Sequence, residues 1–565
     1  MNMTRTQAQA QLTAPGAAFE IDEVVVAGVP TRVWKHAPGT LVDILRVSRD
    51  HGSRPFVVYE NERLSFEDHF VAAARFAHVL RHDLGVMPGE RVAIALRNLP
   101  EWSVAFWGAA AAGAVVVPLN AWWSGEELAY GLADSGSRVV VVDPERAGRL
   151  AEHWPYLDEV ASVVAVRAAA GEEIPGVGGR GRRWETMLEG VDRVELPDVR
   201  IRPDDDATIF YTSGTTGRAK GALGTHRNIC TNPLSLSYVN SLTALRGGHP
   251  PESAARHVYL LSVPFFHATG CHSVLVANLL SGGTLVLMGR WDAGRALQLI
   301  EGEKVTAFGG VPAMVMQVID HPEFSRWDTS SVRSVSYGGA PAPPELVRRI
   351  GAHFPVGIPR VGYGLTETSS VTTMNAGVDY VAKPDSVGPP VPVVDVKVVD
   401  PTGAELGVGE VGELLIKGPN VVKGYWHKPD ATAETFSGGW LHSGDIARID
   451  EDGYVFIVDR AKDMLIRGGE NIYCVEIETV LYEHPAVADA AVIGIPNDVL
   501  GEEVGAVVQV RPGVPVDQAA LQALVATHLA RFKVPVRIWL VDEPLPRNPG
   551  GKILKRQLRS DLLGV

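Results

Sequence analysis

The chain has 565 residues, too long for one ordinary core, so length alone sets an expectation of three or four domain-sized units. It is 46% hydrophobic and 21% charged, with a net charge of −14, a globular composition without basic excess. That balance argues against nucleic-acid binding: the densest basic cluster, Arg180, Arg182 and Arg183, lies in a Gly-rich stretch and reads as a solvated loop.

Residues 1–18 are rich in Gln, Ala and Thr and are expected to be disordered. They carry no charged stretch followed by an apolar core, so no secretory signal is expected. Arg91 to Leu96 reads as a strand and Glu101 to Gly113 as a helix. Ala114 to Pro118 and Arg138 to Asp143 read as further strands, with a helix from Gly125 between them. The longest apolar run, Val104 to Pro118, is shorter than a membrane span, so no transmembrane segment is expected. This beat is that of a parallel α/β sheet covered on both faces. It resumes with candidate strands Ala207 to Tyr211, Val258 to Val263, Thr284 to Met288, Val305 to Phe308 and Ser334 to Tyr337. Leu242 to Arg256, with Gly247, Gly248, Pro250 and Pro251, reads as a mobile loop.

Around Val391 the pattern changes to consecutive strands with turns at Asp400 to Gly403 and Asp452-Gly453, an antiparallel meander or small barrel up to Val458. After Asp463 comes a compact α+β stretch. Its elements are a helix near Val475 to Glu483, strands near Ala490 to Ile495 and Val504 to Val510, and a helix near Asp517 to Ala530. The three cysteines, Cys230, Cys271 and Cys474, show no metal-ligand spacing and point to a reducing, cytoplasmic compartment. The terminal Leu-Leu-Gly-Val is not a peroxisomal tripeptide.

The strongest local signal follows an apolar strand: Tyr211-Thr212-Ser213-Gly214-Thr215-Thr216-Gly217, then Lys220-Gly221. Glycines let backbone approach a ligand closely, and consecutive N–H groups in such a turn form an anion nest. Hydroxyls and cations add donors, which suits a polyphosphate, although the spacing is not that of GxxxxGK[ST].

Together with five later motifs, this loop resembles the signature of the adenylate-forming superfamily of acyl-CoA synthetases, peptide-synthetase adenylation domains and luciferases. The later motifs are Tyr363-Gly364-Leu365-Thr366-Glu367, Ser443-Gly444-Asp445, Asp459-Arg460-Ala461-Lys462-Asp463, Gly468-Gly469-Glu470-Asn471 and Pro549-Gly550-Gly551-Lys552. They occur in the family's order over about 340 residues. The resemblance implies a large N-terminal AMP-binding domain, residues 19–461, of α/β sheet layers with a small β-barrel-like part. A hinge at Lys462 and a small mobile α+β domain, residues 463–565, would follow.

Residue roles follow from the same resemblance. Thr212 to Gly217 and Lys220 would hold the phosphates of ATP, with Thr366 beside them and Glu367 as the Mg²⁺ ligand; a hard cation needs such an oxygen. Gly339, Ala340 and Pro341 would form the adenine-side loop, with Tyr363 and Gly364 nearby. For Tyr363, adenine contact and core packing both stay open. Asp445 would accept hydrogen bonds from the ribose hydroxyls, with Arg460 assisting. Lys552 would reach the α-phosphate and the attacking carboxylate together. The Gly468, Gly469 and Glu470 loop would then rotate in on the CoA side.

Pro264-Phe265-Phe266-His267 resembles the family's acyl-side motif. Amino-acid-activating relatives usually carry an Asp where His267 stands, so an α-amino acid is disfavoured. His267 would gate the carboxylate or the thiol tunnel, a packed core histidine being the other reading. Val263, Phe265, Val311 and Tyr337, with side-chain-free Gly309 and Gly310 leaving room, suggest an apolar slot for a fatty, aryl or alicyclic acid. The expected reaction joins that acid to coenzyme A through an acyl-AMP and leaves a homodimer open. The sequence runs thirteen residues past Lys552, so no fused carrier is expected. A free-standing carrier protein remains an alternative acceptor. A luciferase-like oxygenase or a catalytically inactive nucleotide-binding protein is disfavoured; the latter should lack Glu367, Asp445 or Lys552, and all three are present.

Overall fold

The computed structural model describes residues 3–169, 174–212, 218–251, 257–339, 344–461, 463–468, 470–497, 499–548 and 551–564. The chain opens with a helix, α1 (Arg5–Leu12), where disorder was expected. Thr4 and Gln7 form a reciprocal capping box at its start. Ala8 and Leu12 are buried in one cluster with Phe19, Trp34 and Tyr238, so tertiary packing orders a segment whose own composition is weak.

The first sheet has seven strands. Its centre is β1 (Arg91–Ala95), β2 (Val115–Pro118) and β3 (Ser137–Val142), parallel and nearly continuous runs of buried Val, Ala and Ile. Between β1 and β2 runs α2 (Pro100–Ala111), buried on almost every face because it lies inside the large domain. Gly108 lets it approach the Phe66–His78 helix; a Cβ there would stand 2.9 Å from the Ala73 carbonyl oxygen. Helix α3 (Gly125–Ser135) joins β2 to β3. On the far side of β2 lies β4 (Asp206–Thr212), parallel to β2, and then β5 (Lys220–Thr225), antiparallel to β4. Helix α4 (His226–Arg246) follows, so the loop expected from Leu242 is helical as far as Arg246. The Arg246 guanidinium pairs with Asp379 at 2.6 Å and holds that end; residues 252–256 lie outside the described residues. The solvated-loop reading of Arg180 is also corrected, since its guanidinium donates to the Trp154, Leu157 and Val160 carbonyls and staples that loop.

The second sheet has eight strands, including β6 (Ala307–Gly310), β7 (Ser334–Gly338) and β8 (Ile358–Tyr363), parallel neighbours in that order. One apolar cluster, with Trp102, Trp107, Phe76 and Phe265, fills the space between the two large sheets. A five-stranded antiparallel sheet follows, containing β9 (Trp440–Ile449) and β10 (Val455–Arg460). Beyond it, α5 (Cys474–Tyr482) and the long hairpin Val487–Asn497 with Gly501–Val510 build a separate core around Ile477, Leu481 and Val508. No helix among the described residues is long and apolar enough to cross a membrane.

Candidate active site in the cleft between large and small domains

The β4–β5 hairpin carries the phosphate-loop motif. Thr212 pairs with Lys220 in the ladder, and the Thr212 hydroxyl donates to the Lys220 carbonyl at 3.4 Å. Ser213, Gly214, Thr215, Thr216 and Gly217 lie outside the described residues. The loop leaves the carboxyl end of β4, the edge where open α/β sheets bind ligands. Its stem is pinned by Asp134, which accepts from Tyr211 at 2.9 Å and pairs with Lys428 at 2.9 Å, while Tyr130 donates to the Ala219 carbonyl at 3.0 Å. Burial and the Asp134 carboxylate hold the Tyr211 phenol far above its ordinary pKa.

A second turn leaves β8. Gly364 is required there, because a Cβ would overlap the Ser370 carbonyl oxygen. Thr366 and Glu367 sit in a single 3₁₀ turn, Thr366–Thr368. Ser369 and Ser370 then have φ of +51° and +100°, strained values for non-glycine residues. His272 holds the Ser369 carbonyl at 3.2 Å, and the Ser273 and Ser370 hydroxyls meet at 2.7 Å. Glu367 accepts a 2.7 Å hydrogen bond from the Tyr425 hydroxyl at Oε1, and the Lys220 ammonium stands 5.1 Å from the Tyr425 ring centroid. Tyr425 thus joins the two turns. It was missed in the sequence, where Gly424-Tyr425-Trp426 carries no spacing that marks chemistry.

The third group lies across β9 and β10. Asp445 and Arg460 are ladder partners, and Arg460 Nε stands 3.1 Å from Asp445 Oδ1. Tyr363 donates to Asp445 Oδ2 at 2.7 Å. The hydroxyl of Tyr363 therefore orients the carboxylate, a role beyond the two considered from sequence. Burial and the neighbouring Asp445 charge push that phenol well up. Each Asp445 oxygen keeps a further lone pair for a ligand hydroxyl.

Lys552 shares one cleft of about 2280 Å³ with Gly339, Tyr363, Gly364, Asp445 and Arg460, whereas Thr212, Lys220, Thr366, Glu367 and Tyr425 are not among its lining residues. The Lys552 loop is closed on itself: Asn548 accepts from the Lys552 N–H at 2.9 Å and donates its own N–H to the Lys552 carbonyl at 2.9 Å. Arg547 ties the loop to Asp489 at 2.5 Å. At Gly551, φ +79°, a Cβ would overlap Val311 of the large domain. A second bridge, Arg511 to Asp320 at 2.6 Å, also joins the domains. Ala340, Pro341, Lys462 and Gly469 lie outside the described residues, while Gly468 and Glu470 do not line this cleft.

The acyl-side residues are differently placed. Val263 and Phe265 are buried, and Phe265 stacks on Trp102 at 4.9 Å within the main core. Asn98, missed in the sequence, accepts from the Phe265 N–H at 2.9 Å and donates to the Val263 carbonyl at 3.1 Å. It fixes the strand end from the neighbouring sheet. His267 Nε2 is buried with no hydrogen-bond partner among the described residues, and burial lowers the imidazole pKa to about 4, so the ring is neutral. The vacant room expected at Gly309 and Gly310 is corrected. The Ser336 backbone occupies the first position because β7 packs closely on β6, and the second is filled by Ser262, after the Val258–Leu261 strand, and Met314, in the Pro312–Ile319 helix. Tyr337 is buried and shares a 2.8 Å hydrogen bond with the Tyr380 hydroxyl. Val263, Phe265, His267, Gly309, Gly310, Val311 and Tyr337 are not among the residues lining the interdomain cleft.

Residues 45–426 match the AMP-binding enzyme family, and residues 476–552 match the AMP-binding enzyme C-terminal domain. The chain belongs to this family. It is 39% identical over 487 residues to a feruloyl-CoA synthase of an Amycolatopsis species, covering 86% of this chain and 91% of that one. It is 35% identical over 500 residues to the long-chain-fatty-acid–CoA ligase FadD13 of Mycobacterium tuberculosis, covering 88% and 93%. The ATP-bound MatB structure from Rhodopseudomonas palustris superposes with a TM-score of 0.78 at 30% identity, covering 92% and 98%.

For an AMP-binding enzyme, the donor set at Glu367 fits a cation that arrives with the nucleotide. One carboxylate oxygen takes the Tyr425 hydrogen bond, and Oε2 takes none from the described residues. Mg²⁺ is ordinarily bound by one or two carboxylates plus substrate phosphates and water, so a lone carboxylate held by the segment that pairs with the β4–β5 hairpin is suitable.

Proposed function

We propose that the protein is an acyl-CoA synthetase that activates an apolar carboxylic acid with ATP and transfers the acyl group to CoA. The observation that carries this reading is that Lys552, on the small domain, lines the same cleft as Tyr363, Asp445 and Arg460 on the large one. In the first half-reaction an acid oxygen attacks the α-phosphorus, the bond to the β-phosphate bridging oxygen breaks, and pyrophosphate leaves. The reaction brings anionic groups together, so positioning and charge neutralisation dominate. Lys552 and Lys220 supply cations, Thr212 and Thr366 hydroxyl donors, and Asp445 fixes the ribose. Glu367 and the phosphate oxygens would hold Mg²⁺, which neutralises charge on the leaving group. In the second half-reaction the CoA sulfur attacks the acyl carbonyl, AMP leaves, and the thiol proton passes to solvent. The Lys552 loop must withdraw first, with Lys462 as the hinge and Gly468 to Glu470 brought over the site.

The acid is proposed to be fatty, aryl or alicyclic. Relatives named for ferulate and for long-chain fatty acids support that range, as does neutral His267 where an amine would need a carboxylate. His267 is proposed to orient the acid. A panel of fatty, cinnamic and sterol-derived acids with ATP, Mg²⁺ and CoA, read by AMP release and thioester formation, tests the reading. AMP release with none of them would overturn it; AMP release without CoA thioester would point to a carrier-protein acceptor.

A further inference from the structure

We infer that Tyr425 is a positioning residue for the metal site: its hydroxyl fixes the Glu367 carboxylate so that Oε2 faces the incoming cation while Oε1 is held. This rests on Glu367 being the Mg²⁺ ligand. The geometry is specific. The Tyr425 hydroxyl donates to Glu367 Oε1 at 2.7 Å, and the Val422 N–H donates to the Glu367 carbonyl at 2.9 Å, so backbone and side chain of Glu367 are both fastened by one segment.

That segment runs beside the phosphate hairpin. Residue 425 bridges to Ala222 of β5. The Leu223 N–H donates to the Gly424 carbonyl at 2.9 Å, and the Trp426 N–H to the Gly221 carbonyl at 2.8 Å. The Tyr425 N–H is taken by the Thr432 hydroxyl at 2.9 Å, and its ring meets Phe436 edge-on at 5.7 Å. Lys428 and Trp426 both anchor on Asp134, the residue that also holds Tyr211 at the other strand of the hairpin. A phenol whose backbone is tied on both sides has little freedom left to lose when it binds a carboxylate. Groups that orient a metal ligand commonly govern metal affinity about 10–100-fold. The Lys220 ammonium stands 5.1 Å from the centroid of the same ring, on the strand that the Tyr425 segment bridges.

The test uses Mn²⁺ in place of Mg²⁺, with its affinity read by water-proton relaxation on the full-length protein carrying a non-hydrolysable ATP analogue. Analogue affinity without metal is measured alongside. Tyr425→Phe is expected to weaken Mn²⁺ about 10-fold and to leave metal-free nucleotide affinity within about 2-fold. Glu367→Gln is expected to weaken Mn²⁺ at least as much, and Tyr425→Phe should add nothing further in that background. Weak metal binding in Glu367→Gln with normal binding in Tyr425→Phe would overturn the inference while leaving Glu367 as the ligand. Equal losses from Tyr425→Phe in both backgrounds would overturn it too, since they would mark a general packing defect. No loss in Glu367→Gln would overturn the metal reading itself. Metal-free nucleotide binding reports folding; should Tyr425→Phe lose it, Tyr425→Met fills the space without a hydroxyl, and the same split is required of it.

Discussion

At the scale of single residues, the cleft separates groups that touch substrate from groups that hold them. In the proposed reaction Lys552 belongs to the first kind. A cation directed at charge that develops in the transition state is commonly worth about 10²–10³ in rate. Lys552→Ala is therefore expected to lower ATP–pyrophosphate exchange by at least about 100-fold, and to leave CoA transfer from preformed acyl-adenylate within a few-fold. Equal loss of both halves, measured separately, would contradict a role confined to adenylation. Gly364 is of the second kind. A methyl group at that position would displace the Ser370 carbonyl and with it the strained turn carrying Glu367. Overpacking of this sort costs about 1–3 kcal/mol, so Gly364→Ala should lower the urea midpoint and weaken adenylation together.

At the scale of elements, legibility followed locality. The strands β1 to β4 and helix α5 were readable within a few residues, because continuous Val, Ala and Ile runs and a 3.6-residue period report burial directly. The motif residues Asp445, Arg460 and Tyr363 were readable as members of a series, yet their mutual contacts were not. Tyr363 and Asp445 are 82 positions apart, and only the sheet brings the phenol to the carboxylate. Tyr425 and Asn98 were invisible for the same reason, their partners lying 58 and 167 positions away. Helix α1 is the clearest failure. Gln and Ala dominate it, and what orders it is Tyr238 and Trp34, far along the chain. Leu12→Ala should cost about 2–4 kcal/mol by urea denaturation, whereas a frayed terminus would show no change.

At the scale of the whole molecule, the proposed reaction depends on how the small domain sits. Among the described residues Arg511 meets Asp320, Gly551 meets Val311, and the Cys474 N–H donates to Asp459, and these contacts help to hold the orientation in which Lys552 lines the cleft. A partly exposed ion pair contributes only about 0–1 kcal/mol, which suits a contact that would open in each turnover of the proposed two-step reaction. Arg511→Glu replaces attraction with repulsion. It is expected to reduce exchange about 3–5-fold, the equivalent of 0.6–1 kcal/mol, while sparing thioester formation.

The same large domain also carries a pH dependence with a definite sign. His69, His226, His257, His267 and His272 are held below the ordinary imidazole value, to about 3 for His69 and about 4 for the others, with burial as the first cause in each. In the folded protein they stay neutral through mild acid; in the unfolded chain they take up protons below about pH 6.5. Their contribution is complete above about pH 6.5 and is lost as pH falls towards 4, at up to about 1.4 kcal/mol per pH unit for each group. Asp459 acts in the opposite sense. Burial raises its carboxyl to about 6, so the folded state binds that proton first and gains stability as pH falls from 6 towards 4. Burial also raises the Glu101 carboxyl, in the same sense as Asp459; five groups oppose two, and urea unfolding free energy should therefore fall between pH 6.5 and 5. His69 isolates the effect: its ring is buried against the Ser103 hydroxyl at 2.8 Å, outside the cleft. His69→Gln keeps a hydrogen-bonding side chain without a titrating ring, and should reduce the slope of stability against pH by about one proton's worth. An unchanged slope would mean that His69 remains as easily protonated in the fold as in the open chain.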